Sequence, residues 1–433
     1  MPSLQLTPDN PLRVLVFPGG TEIGLEIAAS LRDCKEVLLF SAGSAVPNHA
    51  PFVFLHHRVL PDVQTPGWVD DLNLLIESER IDVILPAYDE VIYALAEQTG
   101  RLAAPVAGSP PETCRTTRFK SLTYQRLAGA VRTPKSYADP AAVASYPVFV
   151  KPDRGQGSQG ARVVQTPDEL RVEWNRNPGL MIHEYLPGRE YTVDCFADRD
   201  RGLLFCRGRE RIRTKSGIVM TTQLVDRPEF MSWGKAIWQR LPLYGAWFFQ
   251  VKEAASGELT LLEVGPRVAG GMALNRVLGV NFPLLTLYEH CRMPVTIRPV
   301  PVTARMDRAL ANRFATDLNY EGLYVDLDDT LILRGQVNTK LVRVLYQALN
   351  AGKWLGLVTR SRQDPEAILQ RWRLRNLFDE VIWLRQSEPK PPFLKRRPAV
   401  LIDDSFRERT AAADAGILAL DCSSLDLLLD ERV

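Results

Sequence analysis

With 433 residues, 45% of them hydrophobic and 24% charged, the chain has the balance of a folded globular protein and is longer than one hydrophobic core usually organises, so two or three domains are expected. A net charge of +2, with no basic run interleaved with aromatics, gives no footing for a nucleic-acid partner. Six cysteines (Cys34, Cys114, Cys195, Cys206, Cys291, Cys422) lie far apart without CxxC spacing, which argues against a zinc site or a disulfide framework. The polar start MPSLQLTPDN and the lack of an apolar run of about 20 residues predict no membrane span and a cytoplasmic setting.

From Leu12 to about Pro105 short apolar strands alternate with amphipathic helices: VLVF, a helix over 22–31, EVLLF, a helix near 69–79, then IDVILPA. That rhythm predicts a parallel sheet with covering helices. The Pro/Gly-rich APVAGSPPET closes this α/β domain, expected at 1–115. A helix containing Phe119 to Leu127 opens the next domain, expected at 116–305, where YPVFVK, ARVVQ, LMIHEY, REYTVDCFA, RGLLFCRGR, AWFFQVK and ELTLLEV succeed one another in hairpin fashion. Few helices are expected between them, so this domain reads as α+β with antiparallel sheets. A polar, arginine-bearing stretch at 306–319 reads as a linker. Strand–helix alternation resumes over 320–433: GLYVDLDDT, a helix over 339–349, WLGLVTR, a helix over 365–372, EVIWL, AVLIDD, a helix over 406–414 and ILAL. The last domain is therefore expected to be a Rossmann-like α/β sheet.

In YPVFVKPDRGQGSQGARVV, Lys151 ends a strand, and Gly155, Gly157 and Gly160 precede the next. Glycines let backbone amides approach phosphate oxygens with no Cβ in the way, and a lysine adds a point charge. No GKS/T follows and no helix opens there, so this is not a P-loop, and a flexible hairpin tip is the alternative. About 30 residues on, LMIHEYLPGREYTVD presents Glu184, Tyr185 and Leu186 and then a second acid, Glu190. The strand pair in GAWFFQVKEAASGELTLLEVGPR carries Gln250 and Glu263, an amide oxygen and a carboxylate suited to a hard cation such as Mg2+. In RGRERIRTKSG the arginines at 207, 209, 211 and 213 share one face if extended; Arg209 and Arg211 are preferred as contacts for an anionic substrate, against a solvated strand face. FPGGTEIG fails the dinucleotide G-x-G-x-x-G spacing.

The order of these pieces, over about Leu12 to Met293, resembles the ATP-grasp superfamily, in particular the carbamoyl phosphate synthetase and pyrrolysine-type carboxylate–amine ligases. The resemblance implies ATP and Mg2+ as cofactors, with Lys120 and Lys151 gripping the nucleotide phosphates beside Gly157. It also implies a strand at Glu184, Tyr185 and Leu186 holding adenine, Glu190 accepting from the ribose hydroxyls, and Gln250 and Glu263 on the metal. Arg267 would face the transferred phosphate or the substrate carboxylate. Gly19, Gly20 and Asp89 would lie on the substrate side of the cleft, with a structural turn as the alternative. Family members resembling this chain carry E-x-N-P-R at the last strand; here the string is EVGPR, so Gly265 stands where a metal-binding asparagine is expected. One oxygen ligand is then left to water or substrate, or the second metal is weakened.

GLYVDLDDTLIL is the most specific string: an apolar strand ending in two carboxylates two residues apart, which can converge on one phosphoryl group as nucleophile and acid. It resembles the first signature of the haloacid dehalogenase superfamily, and the later pieces follow in that family's order: Thr359 ending a strand, Lys390, and the pair Asp403–Asp404. The resemblance implies that Asp326 attacks phosphorus, Asp328 protonates the leaving oxygen, and Thr359 and Lys390 neutralise charge, with Lys395 competing for the lysine role. Asp326, Asp328 and Asp403 are expected at Mg2+, with Asp404 assisting. The gaps between these pieces are too short for a cap domain, so the site is expected to be open.

Together these features predict a bifunctional enzyme whose small-molecule partners are a carboxylate such as an amino acid, an amine, and a phosphate ester, without nucleic acid or membrane; homo-oligomerisation stays open. The alternative is a phosphatase with a regulatory ATP-binding module, and an interaction scaffold with both sites dead is opposed by the intact D-x-D-x-T.

Overall fold

The computed structural model describes residues 10–155, 157, 159–314 and 316–433, and divides into two compact units, Met1–Leu310 and Ala311–Val433. No helix among the described residues is long and apolar enough to cross a membrane.

In the first unit β1 (Leu12–Phe17), α1 (Glu22–Leu31), β2 (Val37–Gly43), β3 (His56–Val59), α2 (Trp68–Ser78), β4 (Val83–Pro86) and α3 (Asp89–Glu97) build a parallel sheet ordered β3-β2-β1-β4. Strand β4 is wholly buried and β1 nearly so, which explains their unbroken apolar runs. Thr21 starts α1: its hydroxyl accepts from the Gly24 amide at 3.0 Å and donates to the Ala87 carbonyl at 2.9 Å, tying that helix to the carboxyl end of β4.

Helices α4 (Pro111–Arg118) and α5 (Lys120–Leu127) lead into an antiparallel sheet ordered β5-β8-β6-β7. Its strands are β5 (Ser136–Tyr137), β6 (Val148–Pro152), β7 (Arg162–Val164) and β8 (Leu180–Glu184), and α6 (Pro167–Arg176) packs on it through Leu170 and Trp174. A six-stranded sheet follows, ordered β13-β12-β9-β10-β11-β14. Its strands and the helices between them run, in chain order, β9 (Glu190–Asp198), β10 (Gly202–Lys215), β11 (Ile218–Val225), α7 (Pro228–Arg240), β12 (Gly245–Glu253), β13 (Leu259–Gly265), α8 (Ala273–Arg276), α9 (Phe282–His290) and β14 (Arg305–Asp307).

Three features differ from the sequence reading. Helices α6, α7 and α9 stand where few were expected; α6 buries only Leu170, so its apolar stripe is too thin to show a period. The stretch read as a linker from residue 306 begins inside β14, which pairs with Thr221–Gln223 and is held by polar contacts of Asp307 with Arg213 and Thr221 rather than by apolar periodicity. The boundary expected at 115 falls within one unit, because a single buried cluster joins Val14, Val16 and Leu85 of the first sheet to Phe205 and Phe248 of the large one and to Phe282 of α9.

The second unit contains β15 (Gly322–Val325), the hairpin β16 (Ile332–Leu333) and β17 (Gln336–Val337), α10 (Thr339–Asn350), β18 (Trp354–Thr359), α11 (Pro365–Arg371), β19 (Glu380–Trp383), β20 (Ala399–Ile402), α12 (Phe406–Asp414) and β21 (Leu418–Leu420). Its parallel sheet is ordered β19-β18-β15-β20-β21, so strand order reverses at β15. Ligands of open α/β sheets bind outside the carboxyl ends of the strands at such a switch point.

Candidate functional site

In the first unit a cavity of about 260 Å³ lies between the four-stranded and six-stranded sheets. Lys151 at the end of β6, Glu184 at the end of β8, Tyr185 and Leu186 just beyond it, Glu190 opening β9, Arg211 on β10, Gln250 on β12 and Glu263 on β13 all line it, as do Lys120 and Gly157. Lys120, Lys151, Gly157, Glu184, Tyr185, Leu186, Glu190, Gln250 and Glu263, nominated from the sequence for the nucleotide and its metal, therefore border one space, whereas Gly160 is not part of its lining.

Lys151 is buried, and its Nζ donates to the Tyr124 hydroxyl at 2.7 Å. Burial, followed by the neighbouring charge of Lys120, pushes its ammonium pKa down to about 7. Lys120 is also lowered by burial, against the pull of Glu263, and its Nζ donates to the carbonyls of Gly155 at 3.2 Å and Asp153 at 3.4 Å. Two lysine amines in a confined space, both disfavoured as ammonium ions by burial, suit anionic oxygens that would restore their charge. Gln250 and Glu263 stand directly opposite one another across β12 and β13, presenting an amide oxygen and a carboxylate. Glu190 is ion-paired with Arg211 Nε at 2.6 Å. Glu184 differs from the expectation of an adenine contact alone: its amide donates to the Lys135 carbonyl and its carboxylate accepts from Arg132 and from the Lys135 amide, so it also fixes the loop before β5.

The glycine loop is held against the tip of the β10–β11 hairpin. Ser216 and Gly217 form its two-residue turn with φ of 50° and 75°, and a Cβ on Gly217 would lie 2.5 Å from backbone atoms of Gly157. Arg211 Nη2 donates to the Gly217 carbonyl at 2.8 Å.

A second cavity of about 600 Å³ shares Gly157, Arg211, Gln250 and Glu263 with the first and adds Glu22, Tyr88, Asp89, Arg209, Arg267 and Arg308. Arg209 is almost fully buried; its Nε donates to Asp194 at 2.9 Å, and its Nη1 has no hydrogen-bond partner. Arg267 lines this cavity and has a structural partner that the sequence did not show. Its Nε and Nη2 donate to the two Asp89 oxygens at 2.6 and 2.7 Å and its Nη1 to the Val268 carbonyl at 3.0 Å, so it clamps the start of α3 to the end of β13. Burial disfavours the Asp89 carboxylate, but the Arg267 charge and hydrogen bonds outweigh that and hold it below its usual range. Asp89 thus lines this second cavity, whereas Gly20 borders a neighbouring cavity with Thr21 and Asn48. Gly19 packs against Ser41 in the turn after β1.

The donor set fits ATP and Mg2+: lysines and arginines for phosphate oxygens, an opposed amide oxygen and carboxylate for a hard cation. Sequence reasoning missed Tyr124, Arg132 and Phe248. Tyr124 was within reach, since it follows Lys120 at i+4 on α5 and so shares its face.

In the second unit Asp326 follows β15, Thr359 ends β18 and Asp403 follows β20, all at the carboxyl edge. Lys390 Nζ bridges Asp326 at 2.5 Å and Asp403 at 2.6 Å, with all three side chains buried. Burial pushes Asp326 up to about 7 against the pull of Lys390, and burial raises Asp403 as well. Thr359 Oγ1 accepts from the Ser361 amide at 3.0 Å, shaping the following loop. Asp326, Asp403 and Asp404 each offer an oxygen within 4.8 Å of the others, a group able to hold a cation. Asp328, expected among the metal ligands, is outside that group among the described residues. It is exposed just before the chain turns at Asp329, whose φ is 53°.

A family profile described as "ATP-grasp in the biosynthetic pathway with Ter operon" matches residues 176–312. The chain is 27% identical over 334 residues to the formate-dependent phosphoribosylglycinamide formyltransferase of Prochlorococcus marinus (strain MIT 9303), covering 68% of this chain and 82% of that relative. It is 28% identical over 191 residues to the 3-methyl-D-ornithine–L-lysine ligase of Methanosarcina mazei, covering 44% of this chain and 48% of that one. Among solved structures, N5-carboxyaminoimidazole synthetase from Staphylococcus aureus complexed with ADP shares the fold with a TM-score of 0.59 at 13% identity, over 70% of this chain and 83% of that chain. The first unit thus has the fold of that synthetase, and the profile and relatives support reading it as ATP-grasp and ligase-like. ATP and Mg2+ are the cofactors of that class.

Proposed function

We propose that the chain joins two chemistries. In the first unit the γ-phosphoryl group of ATP passes to a substrate carboxylate, an amine attacks the resulting acyl phosphate, and the products are an amide, ADP and phosphate. The observation that supports this is the convergence of Lys120, Lys151, Gln250 and Glu263 on a cavity that shares a wall with an arginine-bearing one. Lys120 and Lys151 hold phosphate oxygens, while Arg209 and Arg211 receive the anionic substrate and offset the charge that develops on acyl transfer. Mg2+ held by Glu263 and Gln250 would supply Lewis-acid neutralisation of the phosphates. The two relatives favour a carboxylate–amine pair: one is named for formate and phosphoribosylglycinamide, the other for joining 3-methyl-D-ornithine to L-lysine.

In the second unit Asp326 attacks a phosphomonoester and forms an aspartyl phosphate while Asp328 gives its proton to the leaving oxygen; water then releases phosphate. The bridging position of Lys390 favours it over Lys395 for neutralising charge, alongside Thr359. Asp403 and Asp326, joined by Asp404 in place of Asp328, would hold Mg2+.

With magnesium-ATP and an amino-acid mixture, we expect ADP and a new amide mass, with oxygen-18 from the substrate carboxylate appearing in phosphate. Labelled AMP would point to adenylation and overturn the acyl-phosphate route. A regulatory nucleotide module is the second reading, favoured by the altered EVGPR string, and it predicts ATP binding without ADP release in step with any product.

A further inference from the structure

The wall of the nucleotide cavity limits how many cations it can hold, a point that rests on the ATP–magnesium reading above. Gln250 and Glu263 face one another across β12 and β13, and two residues along each strand Phe248 and Gly265 are opposed in the same way. Strand side chains alternate, so an oxygen-bearing side chain at 265 would project on the same face as Glu263. That position has neither a side chain nor room for one: a Cβ on Gly265 would stand 2.4 Å from Cε1 and Cζ of Phe248. The ring is not free to swing aside. Phe248 is 3% exposed, the Arg267 guanidinium lies 5.0 Å from its centroid, and Arg267 is itself pinned by two bonds to Asp89. Where a further oxygen ligand would sit beside Glu263, the protein therefore presents hydrocarbon backed by a fixed positive charge. Mg2+ takes oxygen ligands at about 2.1 Å and rests on one or two protein carboxylates plus phosphates and water. Glu263 supplies one carboxylate here, and among the described residues the group of three or more acidic, histidine or cysteine ligand atoms close enough to share an ion lies in the second unit, not at this cavity.

We propose that the first unit holds a single divalent cation with its nucleotide, on Glu263 and Gln250, and that the Phe248–Gly265 pair under Arg267 fills the space of a second. The test uses the full-length protein and Mn2+ as the probe. Bound Mn2+ is counted by electron paramagnetic resonance before and after saturation with a non-hydrolysable ATP analogue, so that ions in the second unit cancel. The expected increment is one ion per chain. An increment of two with the analogue bound overturns this inference alone, whereas failure of the analogue to bind removes the nucleotide reading and this inference with it. In the double variant Phe248→Ala, Gly265→Asn, the increment should rise to two. If it stays at one while analogue affinity shows the site intact, Phe248 is not what excludes the second ion.

Discussion

At the scale of single residues, Lys151 carries a testable proton. An unfolded lysine titrates near 10.4, so with a folded value of about 7 the unfolded chain binds more protons between those limits. This group therefore contributes stability that is full above about pH 10.4 and is lost as pH falls to about 7. Lys151→Met should flatten that part of the difference in denaturant midpoints between about pH 7 and pH 9 in the nucleotide-free protein. Near pH 8 nucleotide binding should take up a proton at Lys151, because phosphate oxygens favour the ammonium form. Calorimetry in buffers of different ionisation heat reads that uptake; the variant should lack it, and equal uptake in both proteins would remove Lys151 from the phosphates. The lysine and Glu263 were legible in the sequence because each sits where an apolar strand ends or nears its end. The partner of Arg267 was not, since Asp89 lies 178 residues away and no local pattern links them.

At the scale of elements, the β10–β11 hairpin positions the glycine loop by backbone contact. Replacing Gly217 by alanine sets a Cβ against Gly157 and puts a side chain at a φ of 75°, which should cost about 1–3 kcal/mol in a denaturant titration. Nucleotide affinity should weaken in the same variant, measured by calorimetry, because the loop and Arg211 both rest on that turn. Unchanged affinity would show that the turn does not support the loop. The sequence marked β9, β10, β12 and β13 of this sheet through their apolar runs but not β11, it located α1 through amphipathic spacing, and it expected α10 and α12 from strand–helix alternation; the polar caps of those helices agree. It did not mark β14 or α6, whose places are set by pairing and by one buried side chain, neither of which leaves a period.

At the scale of the whole molecule, the two sets of charged residues belong to separate compact units. Asp326→Asn keeps the shape of the nucleophile and removes most of its reactivity, so hydrolysis of a chromogenic phosphate ester should fall by about 10³-fold or more while ADP release with amide formation survives. Glu263→Gln should invert that pattern, since on the proposed reading it disturbs only the cation at the ATP phosphates. Loss of ADP release in a folded Asp326→Asn protein would mean that the two reactions are coupled. The buried cluster that runs from Val14 and Leu85 to Phe205, Phe248 and Phe282 bears on inheritance. A shuffled gene that exchanged the first 115 residues with those of a relative would bring together two apolar faces shaped for other partners. Recombination that keeps a working ligase is expected to trade residues 1–310 as one block, and differences in substrate choice among relatives should descend with that block rather than with its N-terminal third.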